Sequence, residues 1–241
     1  MSKPFVAALV FAAASAAPAA AQQFTGGTVS GNIVQLDDTD ATKLNAAGEL
    51  NIAGSFGIGG AVGIYDGSRL VDTDTNLTTR AIYRLSAGSA LGAFAARDTI
   101  DDQDADTFGV EYGFKSPRGT FDAYYGVVDF ESELDETIAG ISFEFAVTPG
   151  FFLGPDCDTY TATLGSDETA IGAGSLTGRY QLENGVSFFA EAGSVALATS
   201  DGTITSVGTK SEFFGIGMSY EFRQNGVSLF SNRSFTDSFG F

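Results

Sequence analysis

Phe214-Gly215-Ile216-Gly217-Met218-Ser219-Tyr220-Glu221-Phe222 alternates a large apolar or aromatic residue with a small or charged one at every step. Neighbouring side chains of an extended strand point to opposite faces, so this segment reads as a strand with one face for hydrocarbon and one for water or a packed polar interior. Thr107 to Lys115 repeats the pattern, with Phe108, Val110, Tyr112 and Phe114 set against Thr107, Gly109, Glu111 and Gly113. So do Phe56, Ile58, Val62 and Ile64; Leu77, Ala81, Tyr83 and Leu85; Ile141, Phe143, Phe145 and Val147; Leu176, Tyr180 and Leu182; and Val186, Phe188, Ala190 and Ala192.

Between these segments stand six tight-turn signals: Ala53 to Phe56, Ser86 to Ser89, Lys115 to Gly119, Thr148 to Gly150, Glu183 to Gly185 and Arg223 to Gly226. Two strands per turn gives an expectation of about twelve, running from Thr28 or Leu44 through to Phe235, with Phe151 to Thr163 the weakest because Pro155 interrupts it. Aromatic residues gather within a few positions of the turns: Phe56, Tyr83, Tyr112, Phe114, Phe121, Phe143, Phe145, Phe151, Tyr180, Phe188, Tyr220 and Phe222. A soluble β-sandwich also alternates, but its exposed face is richer in Lys, Thr and Glu than in Gly, and it has no reason to hold aromatics at one depth. The pattern predicts an all-β, antiparallel transmembrane barrel of about 12 strands, with an interfacial aromatic girdle at the short-turn end.

The first 21 residues read as an export signal. Lys3 gives a positive start, Phe5 to Ala14 an apolar stretch and Ala19-Ala20-Ala21 a small-residue cleavage site. Residues 1–21 are therefore expected to be removed, leaving 22–241 as one domain. The chain carries 30 Asp and Glu against 12 Lys and Arg, a net charge of −18, which opposes binding to nucleic acid. No stretch after the signal is long and apolar enough for a membrane helix, so any span must be built of strands. Cys157 is the only cysteine; without a partner it reads as a loop thiol and excludes an internal disulfide framework.

With its Ala-rich signal, turns such as Gln224-Asn225-Gly226, a terminal Phe241 and the Phe214 to Phe222 strand, the chain resembles small porin-like outer-membrane β-barrel proteins of Gram-negative bacteria. That resemblance implies residence in the outer membrane with short periplasmic turns and longer acidic outer loops, contact with outer-membrane lipid, and assembly by the barrel-assembly machinery through Phe214, Ile216, Met218, Tyr220 and Phe222. It implies passive passage of small hydrophilic solutes or cations, with no cofactor. The oligomeric state stays open. One departure stands out: the signal strand is normally last, whereas Val227 to Phe241 comes after it here. Either the first segment is not a regular wall strand, or the tail leaves the wall and enters the lumen.

No histidine is present, which removes Ser-His-Asp and Cys-His catalysis and the commonest transition-metal ligand. Glu131 and Glu133 lie in a charge run rather than a framed cleft, and Asp72-Thr73-Asp74-Thr75-Asn76 lacks the glycine and final glutamate of a calcium loop. No enzyme and no metal site are expected. On the polar faces Arg80, Arg84 and Arg179 oppose Glu111, Glu144 and Glu191, the expected selectivity set, with Glu49, Asp122 and Glu221 beside them. Inward glycines such as Gly109, Gly113, Gly126, Gly193, Gly215 and Gly217 suggest open space. Acids between the strands, Asp156 and Asp158 among them, are assigned to the outer mouth and predict a preference for cations. The alternative is a non-conducting structural or adhesion barrel with functional loops, its lumen plugged by charge pairs or by the tail.

Overall fold

The computed structural model describes residues 23–36, 39–67, 73–100, 103–130, 134–165, 167–200, 205–223, 230, 232–234 and 238. The expected signal, 1–21, lies outside them, as do Asp72, Glu131, Glu133 and Gln224 to Gly226. Twelve strands succeed one another: β1 (Gln23–Leu36), β2 (Thr39–Ala53), β3 (Phe56–Asp66), β4 (Thr73–Ser86), β5 (Ser89–Ile100), β6 (Gln103–Ser116), β7 (Gly119–Asp129), β8 (Asp135–Thr148), β9 (Phe151–Leu164), β10 (Asp167–Gln181), β11 (Val186–Ser200) and β12 (Thr205–Arg223). Each pairs antiparallel with the next, and β1 closes the ring on β12 from Gly26↔Arg223 to Leu36↔Phe213. Closure leaves no edge strand, which meets the requirement that every backbone group in a bilayer be paired within the protein.

The strand number agrees with the sequence reading, but the ends differ. The first segment is a full wall strand, so Phe214 to Phe222 lies on the strand that closes the barrel. Beyond Arg223 no thirteenth strand extends the wall among the described residues. Phe151 to Thr163 is an uninterrupted strand. Pro155 is exposed there, opposite Leu176 of β10, so its ring faces outward where no side chain crowds it. Five of the six turn signals connect strands at one end of the barrel. In the β8–β9 connection Gly150 has φ of 79°, a left-handed conformation that glycine adopts without steric cost.

The barrel is inverted relative to a soluble protein. Phe214, Ile216, Met218 and Tyr220 are 44–54% exposed on the outside, while the buried set holds as many polar and charged side chains as apolar ones. The aromatics near the turns stand on the outer face and touch across strands: ring centroids are 5.1 Å apart for Phe56 and Tyr83, and 4.8 Å for Phe121 and Phe143. That is the expected girdle. Inside, an apolar cluster of Ala105, Val128, Ile138, Tyr160, Ala173 and Val195 runs along β6 to β11 towards the loop end. Cys157 is not in a loop: it lies in β9, exposed, between Ile141 and Gly174 of the neighbouring strands.

Candidate functional site

All six residues of the expected selectivity set face the lumen, because each alternates with an outward apolar or small neighbour. Each finds a polar partner there. Arg80 forms an ion pair with Glu111 at 3.1 Å, with both side chains fully buried. Arg84 donates to Glu49 at 2.7 Å and to the Thr25 hydroxyl at 3.1 Å. Arg179 grips both oxygens of Glu144 and stacks 4.4 Å over the Phe152 ring. Glu191 accepts from the Asn32 amide at 3.0 Å.

These partners are not on adjacent strands. Arg80 on β4 reaches Glu111 on β6, Arg179 on β10 reaches Glu144 on β8, and Tyr124 on β7 donates to Asp158 on β9 at 2.7 Å. A glycine of the intervening strand lies beneath each contact. Glu111 stands opposite Gly92, Glu144 is in register with Gly154, and Tyr124 and Asp158 flank Gly140 from either side. A Cβ at position 92 would lie 2.6 Å from Glu111 Cγ and Oε1, and one at position 215 would lie 2.6 Å from Glu191 Oε1. The expectation that inward glycines mark open space is therefore corrected. At Gly109, Gly193, Gly215 and Gly217 the room is filled by Phe94, Phe213, Glu191 and Phe189 respectively. The glycines are saddles over which long side chains lie flat against the wall and meet partners two strands away.

The tail enters the lumen. Phe230 donates its backbone N–H to Glu49 at 3.3 Å and packs with Ile82 and Ala90. Asn232 donates to Asn45 and to the Tyr65 hydroxyl. The Arg233 carbonyl accepts from Asn76 and Thr78 at 2.9 and 3.0 Å. Ser234 donates to Asp98 at 2.6 Å, and Ser238 shares a hydrogen bond with Tyr124 at 3.1 Å. The wall partners come from β2, β3, β4, β5 and β7, and Arg233 adds Glu111 of β6. The tail thus occupies one half of the lumen.

The other half is a cavity of about 380 Å³ bounded by β1, β2 and β7 to β11 and by the tail. Its charged lining is Asp122, Glu144, Asp156, Asp158 and Glu191 against Lys43 and Arg233. Asp156 and Asp158 were expected at the outer mouth, but they belong to β9 and point inward. Towards the turn end Lys115 of β6 pairs with Glu221 of β12 at 2.6 Å. Those strands stand on opposite sides of the twelve-membered ring, so this pair is a bar across the opening. Among the described residues no cluster of three or more Cys, Asp or Glu is arranged to hold a metal ion.

No family model matches this chain, and no curated protein does. Solved structures do match. NanC porin superposes with a TM-score of 0.60 at 9% identity, covering 80% of this chain and 98% of that one. KdgM porin gives 0.57 at 9% identity, over 81% and 99%. An outer membrane channel from Pseudomonas putida F1 gives 0.53 at 14% identity, over 86% and 97%. The fold is that of an outer-membrane porin barrel. With an exterior that only lipid can satisfy, the outer membrane is where such a barrel belongs.

Sequence reasoning missed Arg233, which touches more lumen partners than any residue of the expected set. A signal was present: it is the only cation after Arg223, set in a polar triplet, Asn232-Arg233-Ser234, within an otherwise apolar and hydroxyl-rich tail. Tyr124 was also missed, because its alternation within Phe121 to Tyr125 is masked by aromatics on both faces.

Proposed function

We propose that the barrel is a narrow channel for passive diffusion of small hydrophilic solutes across a Gram-negative outer membrane, with a preference for cations. One observation carries this reading: the cavity beside the tail is lined by five carboxylates against Lys43 and Arg233. Within low-dielectric walls such an excess focuses negative potential and concentrates cations. In this reading Arg80, Arg84 and Arg179 are positioning groups, since each is tied to a carboxylate, and Glu191, Asp156 and Asp158 set selectivity. Residues 1–21 direct export, the β12 face from Phe214 to Phe222 addresses the assembly machinery, and no catalytic step or cofactor is involved. A KdgM porin structure carries an oligogalacturonate; the carboxylate excess here opposes a polyanionic solute.

The test is a planar bilayer with a tenfold potassium chloride gradient. Ideal cation selectivity gives a reversal potential of about 59 mV, and Glu191→Gln with Asp156→Asn should move the value towards zero. A second reading, a sealed structural barrel whose outer loops carry the function, is favoured by the tail's grip on half the wall. Absence of current from folded protein refutes the channel and leaves that second reading.

A further inference from the structure

Arg233 is the best-held side chain in the lumen. Its Nη2 donates to both oxygens of Asp122, at 2.6 and 2.8 Å, and its Nε donates to Glu111 Oε2 at 2.8 Å. The guanidinium carbon lies 4.4 Å from the centre of the Tyr124 ring. A planar fork of N–H donors, two carboxylates in reach of it and an aromatic face beneath it are complementary in charge, shape and hydrogen bonding. An ammonium ion has the charge but neither the fork nor the plane.

The three groups that make this seat do not depend on the tail for their placement. Glu111 lies over Gly92 and is paired with Arg80 at 3.1 Å. Tyr124 is held by Asp158 across Gly140 and meets Phe94 edge-on at 6.3 Å. Asp122 is one inward position from Tyr124 on the same strand. We propose that the lumen wall carries a guanidinium-binding site, made by Glu111, Asp122 and Tyr124, which the chain's own Arg233 occupies and which accepts free guanidinium-bearing solutes in its place. The tail is then a tethered occupant that holds one half of the lumen shut, and a cargo ending in a guanidinium competes with it. The site stands on the contacts of Arg233; that its occupancy controls passage rests on the channel reading above.

The experiment uses full-length Arg233→Gly, which leaves the wall groups intact and opens a hole the size of the missing group. Ethylguanidinium chloride is the probe, with ethylammonium chloride and sodium chloride at equal concentrations as controls. Thermal unfolding of Arg233→Gly in detergent micelles should shift upward with ethylguanidinium, with half-saturation on the order of millimolar for so small a ligand. The response should be at least tenfold weaker with ethylammonium, and absent in Arg233→Gly with Asp122→Asn. Equal response to the two organic cations, or a response that survives Asp122→Asn, overturns the site. Should Arg233→Gly not fold, Arg233→Lys keeps the tail charge while removing the fork, and the same cation ranking is expected and decisive.

In bilayers Arg233→Gly should carry a larger unitary current than the wild type, and millimolar ethylguanidinium should return it towards the wild-type value. A thermal response without any change in current overturns control of passage while supporting the site. No current from either protein refutes the channel itself, and the thermal ranking still judges the site.

Discussion

Gly92→Ala tests the saddle arrangement at its most consequential point. The added methyl would sit 2.6 Å from Glu111 Cγ and Oε1 and 3.0 Å from Cδ, so Glu111 must move. Its side chain has no exposure and is the shared partner of Arg80 and Arg233. Overpacking of this kind costs roughly 1–3 kcal/mol. Disrupting a buried ion pair adds up to about 3–5 kcal/mol if the contact is lost outright, and the lower backbone entropy of alanine returns about 0.5–1 kcal/mol. The net loss is then roughly 2–4 kcal/mol, which for a urea slope of about 1–3 kcal/mol/M moves the unfolding midpoint by on the order of 1–2 M.

The assay is urea unfolding of the barrel in lipid vesicles, followed by circular dichroism. Gly172→Ala is the matched control, because nothing lies within 4 Å of its added methyl; a change within about 0.5 kcal/mol is expected there. In a Glu111→Ala background, where no side chain crosses the saddle, Gly92→Ala should also cost less than about 0.5 kcal/mol, the difference being the coupling between the two positions. An unchanged midpoint for Gly92→Ala, or an equal cost with and without Glu111, refutes the saddle.

Three further outcomes are expected. Ile216→Arg, at the middle of the lipid-facing run of β12, should destabilise the barrel by about 2–4 kcal/mol in vesicles; a neutral effect would mean that this face does not meet lipid. Cys157, on the exposed face of β9, should react in proteoliposomes with a membrane-soluble maleimide and resist a charged impermeant one, and the reverse ranking would place it in water. Lys115→Met removes the bar to Glu221 and should raise the unitary current, which an unchanged trace would contradict.

The wall was readable because a strand's two faces are written at period two in neighbouring residues. Phe214 to Phe222 and Thr107 to Lys115 therefore disclosed which side chains meet lipid, and the aromatics beside the turns disclosed the interface depth. Partners within the lumen were hidden, since they join strands i and i+2 across a glycine and depend on register along two ladders. Gly92 looks like empty space in the sequence and becomes a bed for Glu111 only once β5 and β6 are aligned. Asp156 and Asp158 flank Cys157, and the nearby Pro155 breaks the local pattern, so they read as loop acids although β9 runs straight through them. For the tail, the even strand count and the appended segment framed the choice correctly, but only contacts to six consecutive strands decided it.

Those contacts also order events in time. The tail leaves β12, the last strand made, yet its seat is shared among β2 to β7. No part of that seat has its final shape until those strands have paired, so the tail is the last segment to settle and its settling reports a finished ring. Protection of Arg233 from trypsin is accordingly expected to lag behind the appearance of compact, heat-modifiable barrel during refolding; protection that came first would show the tail acting as a template for the wall.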